Sequence, residues 1–308
     1  MQTKKRLLIC GSSLEFYQYQ NPIRFGSMGG FGKSRKKKAD LSEDELKAKE
    51  SFESSIHRAK SKVRRLVECN AWHWKDNTGQ VFLPMFMTLT FGYVQTNLTS
   101  AHREFMRFIM RLNYNFCKSK KNVLKYVVVV EYQSDIDFHG QLKPQGGSIH
   151  YHAVFFNLPY VKDRVYHRLF KLWNENRVEL KKVWNTYGVS RYLTKYLSKG
   201  MADKRLWGRK RYFISKGLLT PITYYNEQAV SSFERLVKDY TKPYVTNFQS
   251  EYLGHVQYSK YTLPKGVEFF NIINQLDDLQ EILIDLQQER LDREPFNENE
   301  NAKYSLLP

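Results

Sequence analysis

Cysteine is scarce in this chain of 308 residues: Cys10, Cys69 and Cys117 are odd in number, far apart and form no CxxC pair. That excludes a disulfide framework and a cysteine-based zinc finger. No apolar run is long enough to span a bilayer, and no basic amphipathic helix is present to lie on one. No membrane partner is therefore expected. The start has a basic flank, but its apolar stretch Leu7-Leu8-Ile9-Cys10 is too short for a signal peptide, which predicts a cytoplasmic protein. A phosphate-binding loop is lacking as well. Gly26-Ser-Met-Gly-Gly-Phe-Gly32-Lys33-Ser34 imitates one, but its outer glycines stand one residue too far apart. No β-rich run leads into it, and cations follow where a helix would begin.

Acidic residues are also in the minority. With 49 Lys+Arg against 31 Asp+Glu the net charge is +18. From Gly266 onward ten acids face three bases, so residues 1–265 carry +25. Such a field attracts a polyanion, and phosphate contacts supply most non-specific affinity for nucleic acid. A hydrophobic content of 42% supports a folded chain, and the 21 Tyr and 20 Phe serve strand cores or stack on unpaired bases.

Residues 1–40, ending in Lys33-Ser34-Arg35-Lys36-Lys37-Lys38, are expected to form a loose basic arm. Ser42-Glu-Asp-Glu45 is a capping box opening a charged helix to about Glu68, so residues 1–75 are arm and helix. Residues 76–225 are the expected central domain. Val81–Phe91 predicts a strand, and Thr99 or Ser100 caps a helix burying Phe105, Phe108, Ile109, Leu112 and Phe116. Val123–Gln133 and Ser148–Asn157 predict strands joined by a polar loop, Val161–Asn174 a helix, and Ser190 the cap of a short helix ended by Gly200. This order predicts an α+β fold, a central antiparallel sheet flanked by helices, with helical extensions at both ends. In the extension 226–308, Ile272, Leu276, Leu279, Leu283 and Leu286 alternate steps of four and three. That seam serves self-association or packing on its own domain.

Three elements carry chemistry. His150-Tyr-His152 puts two imidazoles on one side of a strand, about 6.7 Å apart, where they can converge on a divalent cation. The apolar run Val127–Val130 leads straight into Glu131, a carboxylate costly to bury without a partner. Glu131 would complete a His-His-carboxylate set for Mg²⁺ or Mn²⁺, with Gln133 on the same side as substitute. In Tyr192-Leu-Thr-Lys195-Tyr196-Leu-Ser-Lys199 residues four apart share a helix face, so both phenols face one pocket beside a stripe of two lysines.

Taken together, residues 86–199 resemble the HUH endonucleases, and the Tyr192-x-x-x-Tyr196 helix resembles their two-tyrosine rolling-circle replication initiators, found in microviruses, other single-stranded DNA viruses and plasmids. Phe86-Met-Thr88-Leu-Thr90-Phe91 looks like their DNA-lining strand, His150-Tyr-His152 like their metal motif, and Glu131 stands where they place an acidic ligand. The loop before His150 is long and acidic, so Asp135, Asp137 and His139 are alternative third ligands. The resemblance implies a metal on Glu131, His150 and His152, attack by Tyr192 or Tyr196, and charge stabilisation by Lys195 and Lys199. Arg209-Lys210-Arg211 is suited to DNA phosphates. It further implies a single-stranded origin as substrate and a host polymerase as partner. With no phosphate-binding loop in the chain, a host helicase is implied too. A relaxase or transposase would share the chemistry; a non-catalytic nucleic-acid-binding protein would explain the charge but not the ordered motifs.

Overall fold

The computed structural model describes residues 2–24, 41–119, 123–137, 139–159, 161, 166–174, 176–199, 203–206 and 209–263. In chain order these give β1 (Gln2–Cys10), β2 (Ser13–Arg24), α1 (Leu41–Asn70), β3 (Met85–Thr90), α2 (Leu98–Phe116), β4 (Tyr126–Tyr132) and β5 (Ile149–Phe155). They continue with α3 (Tyr166–Leu172), β6 (Arg177–Lys182), α4 (Thr186–Lys199), β7 (Tyr212–Ile214), β8 (Ile222–Tyr224), α5 (Glu227–Lys238), β9 (Tyr244–Ser250) and β10 (Gly254–Thr262). Both sheets are antiparallel throughout, so the class is α+β as expected. No described helix is long and apolar enough to cross a membrane. The Gly26–Ser34 segment and the seam from Ile272 to Leu286 lie outside the described residues.

The chain divides into two compact units, Met1–Phe31 with Pro221–Pro308, and Gly32–Thr220. This differs from the boundaries expected at 75 and 225, and the loose arm needs correcting. Residues 2–24 are an antiparallel hairpin, with Leu7 opposite Phe16 and Ile9 opposite Leu14. Its strands find partners at the other end of the chain, giving the order β8-β1-β2-β10-β9. The inward faces of β1, β2 and β10 bury Leu7, Ile9, Leu14, Phe16 and Tyr261 against Val230, Phe233 and Val237 of α5.

In the unit Gly32–Thr220 the sheet order is β6-β3-β5-β4-β7. On one face Met85, Met87, Leu89, Val128, Val130, Tyr151 and Phe155 pack against Phe105, Phe108, Ile109 and Leu112 of α2, with Leu169 of α3 and Trp173 beyond it. On the other, Phe86, Val127, Val129 and Val154 meet Val63, Leu66 and Val67 of α1 and Leu193 and Leu197 of α4. Covering on both faces explains why β4 is an unbroken apolar run. The caps lie earlier than the sequence suggests. Asn97, not Thr99 or Ser100, accepts the Ser100 N–H at 3.0 Å, and Asn185 accepts the Gly188 N–H at 3.1 Å. Ser190 is buried inside α4.

Gly147 sits where the polar loop re-enters β5. A Cβ there would stand 1.8 Å from the Gln133 carbonyl oxygen. Gly147→Ala must therefore move the backbone that aims Glu131 and His150. We expect a loss of about 1–3 kcal/mol in denaturant unfolding; an unchanged midpoint would show that the loop yields freely.

Candidate active site

Two rows of cross-strand partners build the site, on the sheet face that carries α1 and α4. In one row Thr90 pairs with His150, and His150 with Glu131; in the next Thr88 pairs with His152, and His152 with Val129. The side chains of Glu131, His150 and His152 are all buried. The His152 ring is held at both nitrogens: Nε2 lies 2.7 Å from Glu131 Oε2 and Nδ1 3.3 Å from Thr88 Oγ1. The partner that a carboxylate at the end of β4 requires is thus His152.

Over this pair lies α4. The Tyr196 ring stacks on His152 with centroids 3.5 Å apart and planes 11° from parallel. Its hydroxyl donates to Tyr192 Oη at 2.5 Å, so both phenols end at one point, as helical spacing requires. Phe86 abuts the rings of His152 and Tyr192, at 6.2 and 5.2 Å. Access differs sharply: Tyr192 is 46% exposed and Tyr196 only 7%. Burial, then the hydrogen bond to Tyr192, then the charges of Tyr192, Glu131 and Glu179 push the Tyr196 hydroxyl above its ordinary range.

The donor chemistry, two imidazoles and a carboxylate from adjacent strands, suits a divalent cation. His150 does not yet close on the other two. Its ring centroid is 6.4 Å from that of His152, and no choice of donor atoms brings all three residues within 4.8 Å of one another. A side-chain rotation of His150 is what a bound cation would have to select.

Residues 84–201 match a family model described as replication-associated protein, of the ORF2 type. This segment belongs to that replication-associated family. The expected kinship with replication initiators is met at that level. No curated protein and no solved structure matches the chain.

The remaining sequence candidates lie in and around this replication-associated segment. Thr88 and Thr90 are half-buried on the site face, Thr88 orienting His152. Lys195 is exposed on α4, while Lys199 closes that helix with its side chain outside the described residues. The alternative ligands are committed elsewhere. Asp135 accepts the Gly147 N–H at 2.5 Å and pairs with Arg205 at 3.0 Å, which together hold its carboxyl below the usual range. Asp137 accepts the backbone N–H groups of His139 and Gln141, and the Gln133 N–H donates to the Ser148 carbonyl at 2.9 Å. Beyond the matched residues Arg209 and Lys210 are exposed, but Arg211 needs correcting. It is 7% exposed, its guanidinium within 3.5 Å of Ser55 Oγ, so it packs rather than faces DNA.

Sequence reasoning missed β6. Arg177 extends the Thr90–His150 row and Glu179 the Thr88–His152 row, and the two side chains pair at 2.5 Å. The signal was the alternation of Val178 and Leu180, obscured by the charges between them.

Proposed function

We propose that this protein initiates rolling-circle replication by nicking single-stranded DNA through a tyrosine and later rejoining it. The observation that carries this is the meeting of two phenol oxygens, 2.5 Å apart, on a helix stacked over the Glu131–His152 pair. Glu131, His150 and His152 would hold Mg²⁺ or Mn²⁺, which supplies Lewis-acid polarisation of the scissile phosphate. A phenol oxygen of Tyr192 or Tyr196 attacks phosphorus, and the bond to the 3′-oxygen breaks. The products are a 5′-phosphotyrosine and a 3′-hydroxyl. The ester energy stays in the adduct, so a 3′-hydroxyl can reverse the step. Lys195 and Lys199 offset the charge that develops on phosphate and phenol. The other tyrosine remains free to cut a regenerated origin while the first holds the 5′ end.

In this scheme a host polymerase extends the 3′-hydroxyl, and a host helicase unwinds the duplex, both in the cytoplasm of the host cell. The Ile272–Leu286 seam would join copies of the chain.

The test uses purified protein, Mn²⁺ or Mg²⁺, and oligonucleotides tiling one strand of the replicon that encodes the chain. A denaturant-resistant adduct that a chelator abolishes is the expected result. Nicks with a free 5′-phosphate and no adduct would reject tyrosine chemistry, and binding without nicking would favour a non-catalytic role.

A further inference from the structure

The sheet of the unit Met1–Phe31 with Pro221–Pro308 has two unlike halves on the side that faces α5. One half is the apolar core under the helix. The other begins one row beyond Leu7 and Phe16, where Lys5 of β1 pairs with Gln18 of β2, Gln18 with Gln257 of β10, and Gln257 with Asn247 of β9. Because side chains alternate along a strand, these four lie on the same face as the core. Gln249, two residues along β9, adds a fourth carboxamide. Gln18, Gln257, Asn247 and Gln249 are all exposed. Within the described residues none of the four makes a side-chain hydrogen bond, whereas Gln20 nearby accepts the His255 N–H at 2.8 Å.

Beside this ladder is a cavity of about 350 Å³ whose walls include Lys5, Arg235 and Lys238, with Glu234 the acid among them. Lys5 Nζ is held 2.8 Å from Ser231 Oγ of α5. A strip of carboxamides free of carboxylate, flanked by an excess of cations, has the two chemistries that nucleic acid demands. Carboxamides pair with base edges, and cations hold phosphates. The shape selects the strand state. Four strands span about 14 Å, wider than the roughly 12 Å major groove, so the face cannot sink into a duplex. Unpaired bases offer their edges outside a groove.

We propose that this amide face is a second nucleic-acid site, which reads base edges of single-stranded DNA while Lys5, Arg235 and Lys238 hold its backbone. It gives sequence preference to a unit outside the family match. It depends on none of the nuclease chemistry.

The test is selection from single-stranded DNA randomised over about 16 positions, with the whole protein and a chelator present so that no cleavage intervenes. Wild type should enrich one motif. The variant Gln18→Ala/Gln257→Ala/Asn247→Ala alters exposed side chains and should melt as wild type does. It should bind the starting pool within about threefold of wild type yet lose preference for the motif by tenfold or more. Arg235→Ala/Lys238→Ala should weaken all sequences alike and flatten the salt dependence by about 1.4 in log–log slope. Failure to enrich any motif, the same motif from the triple variant, or tighter binding of that motif as duplex would each overturn the proposal.

Discussion

Replacing both Tyr192 and Tyr196 by Phe is expected to abolish the covalent adduct, a loss of at least about 10⁴-fold in cleavage rate. Both rings stay in place, so the stack on His152 and the melting temperature should hold. The single variants should differ, because the two hydroxyls share a point but not a surface. Tyr196→Phe leaves the exposed phenol and should make the first cut at close to the wild-type rate. Tyr192→Phe leaves a nucleophile buried against His152. Misplacement by about 1 Å costs on the order of 10²-fold, so the first cut should slow by about that much. Each single variant should fail in complete rounds of replication, where one tyrosine is occupied when the second cut falls due. Mapping the adducted peptide decides among outcomes. A Tyr192→Phe protein that completes rounds normally makes Tyr192 structural. Two singles equally dead in the first cut mean that one phenol assists the other.

The second large effect concerns the metal set. Glu131→Ala, His150→Ala and His152→Ala should each cut about 10²–10⁴-fold more slowly, the rate equivalent of the several kcal/mol a Lewis acid contributes at the phosphate. DNA affinity at fixed salt should change little, since it resides in Lys and Arg. Glu131→Ala also strips a buried imidazole of its carboxylate, so its melting temperature must be measured alongside. Glu131→Gln, which keeps the shape and a hydrogen-bond acceptor, separates the two effects: it should fold nearly normally and still fail to cut. A Glu131→Gln enzyme that cuts at the wild-type rate would move the third ligand elsewhere, with Gln133, Asp137 and His139 next in line.

The site was legible in the sequence because its parts lie on elements with strong local periodicity. Glu131 ends an apolar run, His150 and His152 alternate on a strand, and Tyr192 and Tyr196 repeat at helical spacing. What could not be read was non-local. The hairpin Gln2–Arg24 looked like an arm because β1 opens with cations, and the strands that make it a sheet lie more than 200 residues away. The carboxamide ladder is invisible for the same reason: Gln18, Asn247 and Gln257 meet only through strand register. Ser190 misled because a serine that can cap a helix can equally be buried within one; the cap is an asparagine five residues earlier. Arg211 sits in a basic stretch yet is buried, a distinction that charge counting cannot make.

The split sheet sets a timetable for biosynthesis. β1 and β2 leave the ribosome first, but β8, α5 and β10 follow only after all of Gly32–Thr220 has been made. At roughly 5–20 residues per second that delay is about 10–40 s. An isolated hairpin is at best marginally stable in water, and this one carries Leu7, Ile9, Leu14 and Phe16 for a core still unwritten. The nuclease unit, by contrast, holds all its strands in one continuous stretch. Nascent chains arrested before Pro221 should therefore resist protease across that stretch while the leading hairpin is still cut. Equal protection of both would show that the hairpin finds cover early. The apolar face of the leading hairpin is thus the part of the molecule most in need of a chaperone.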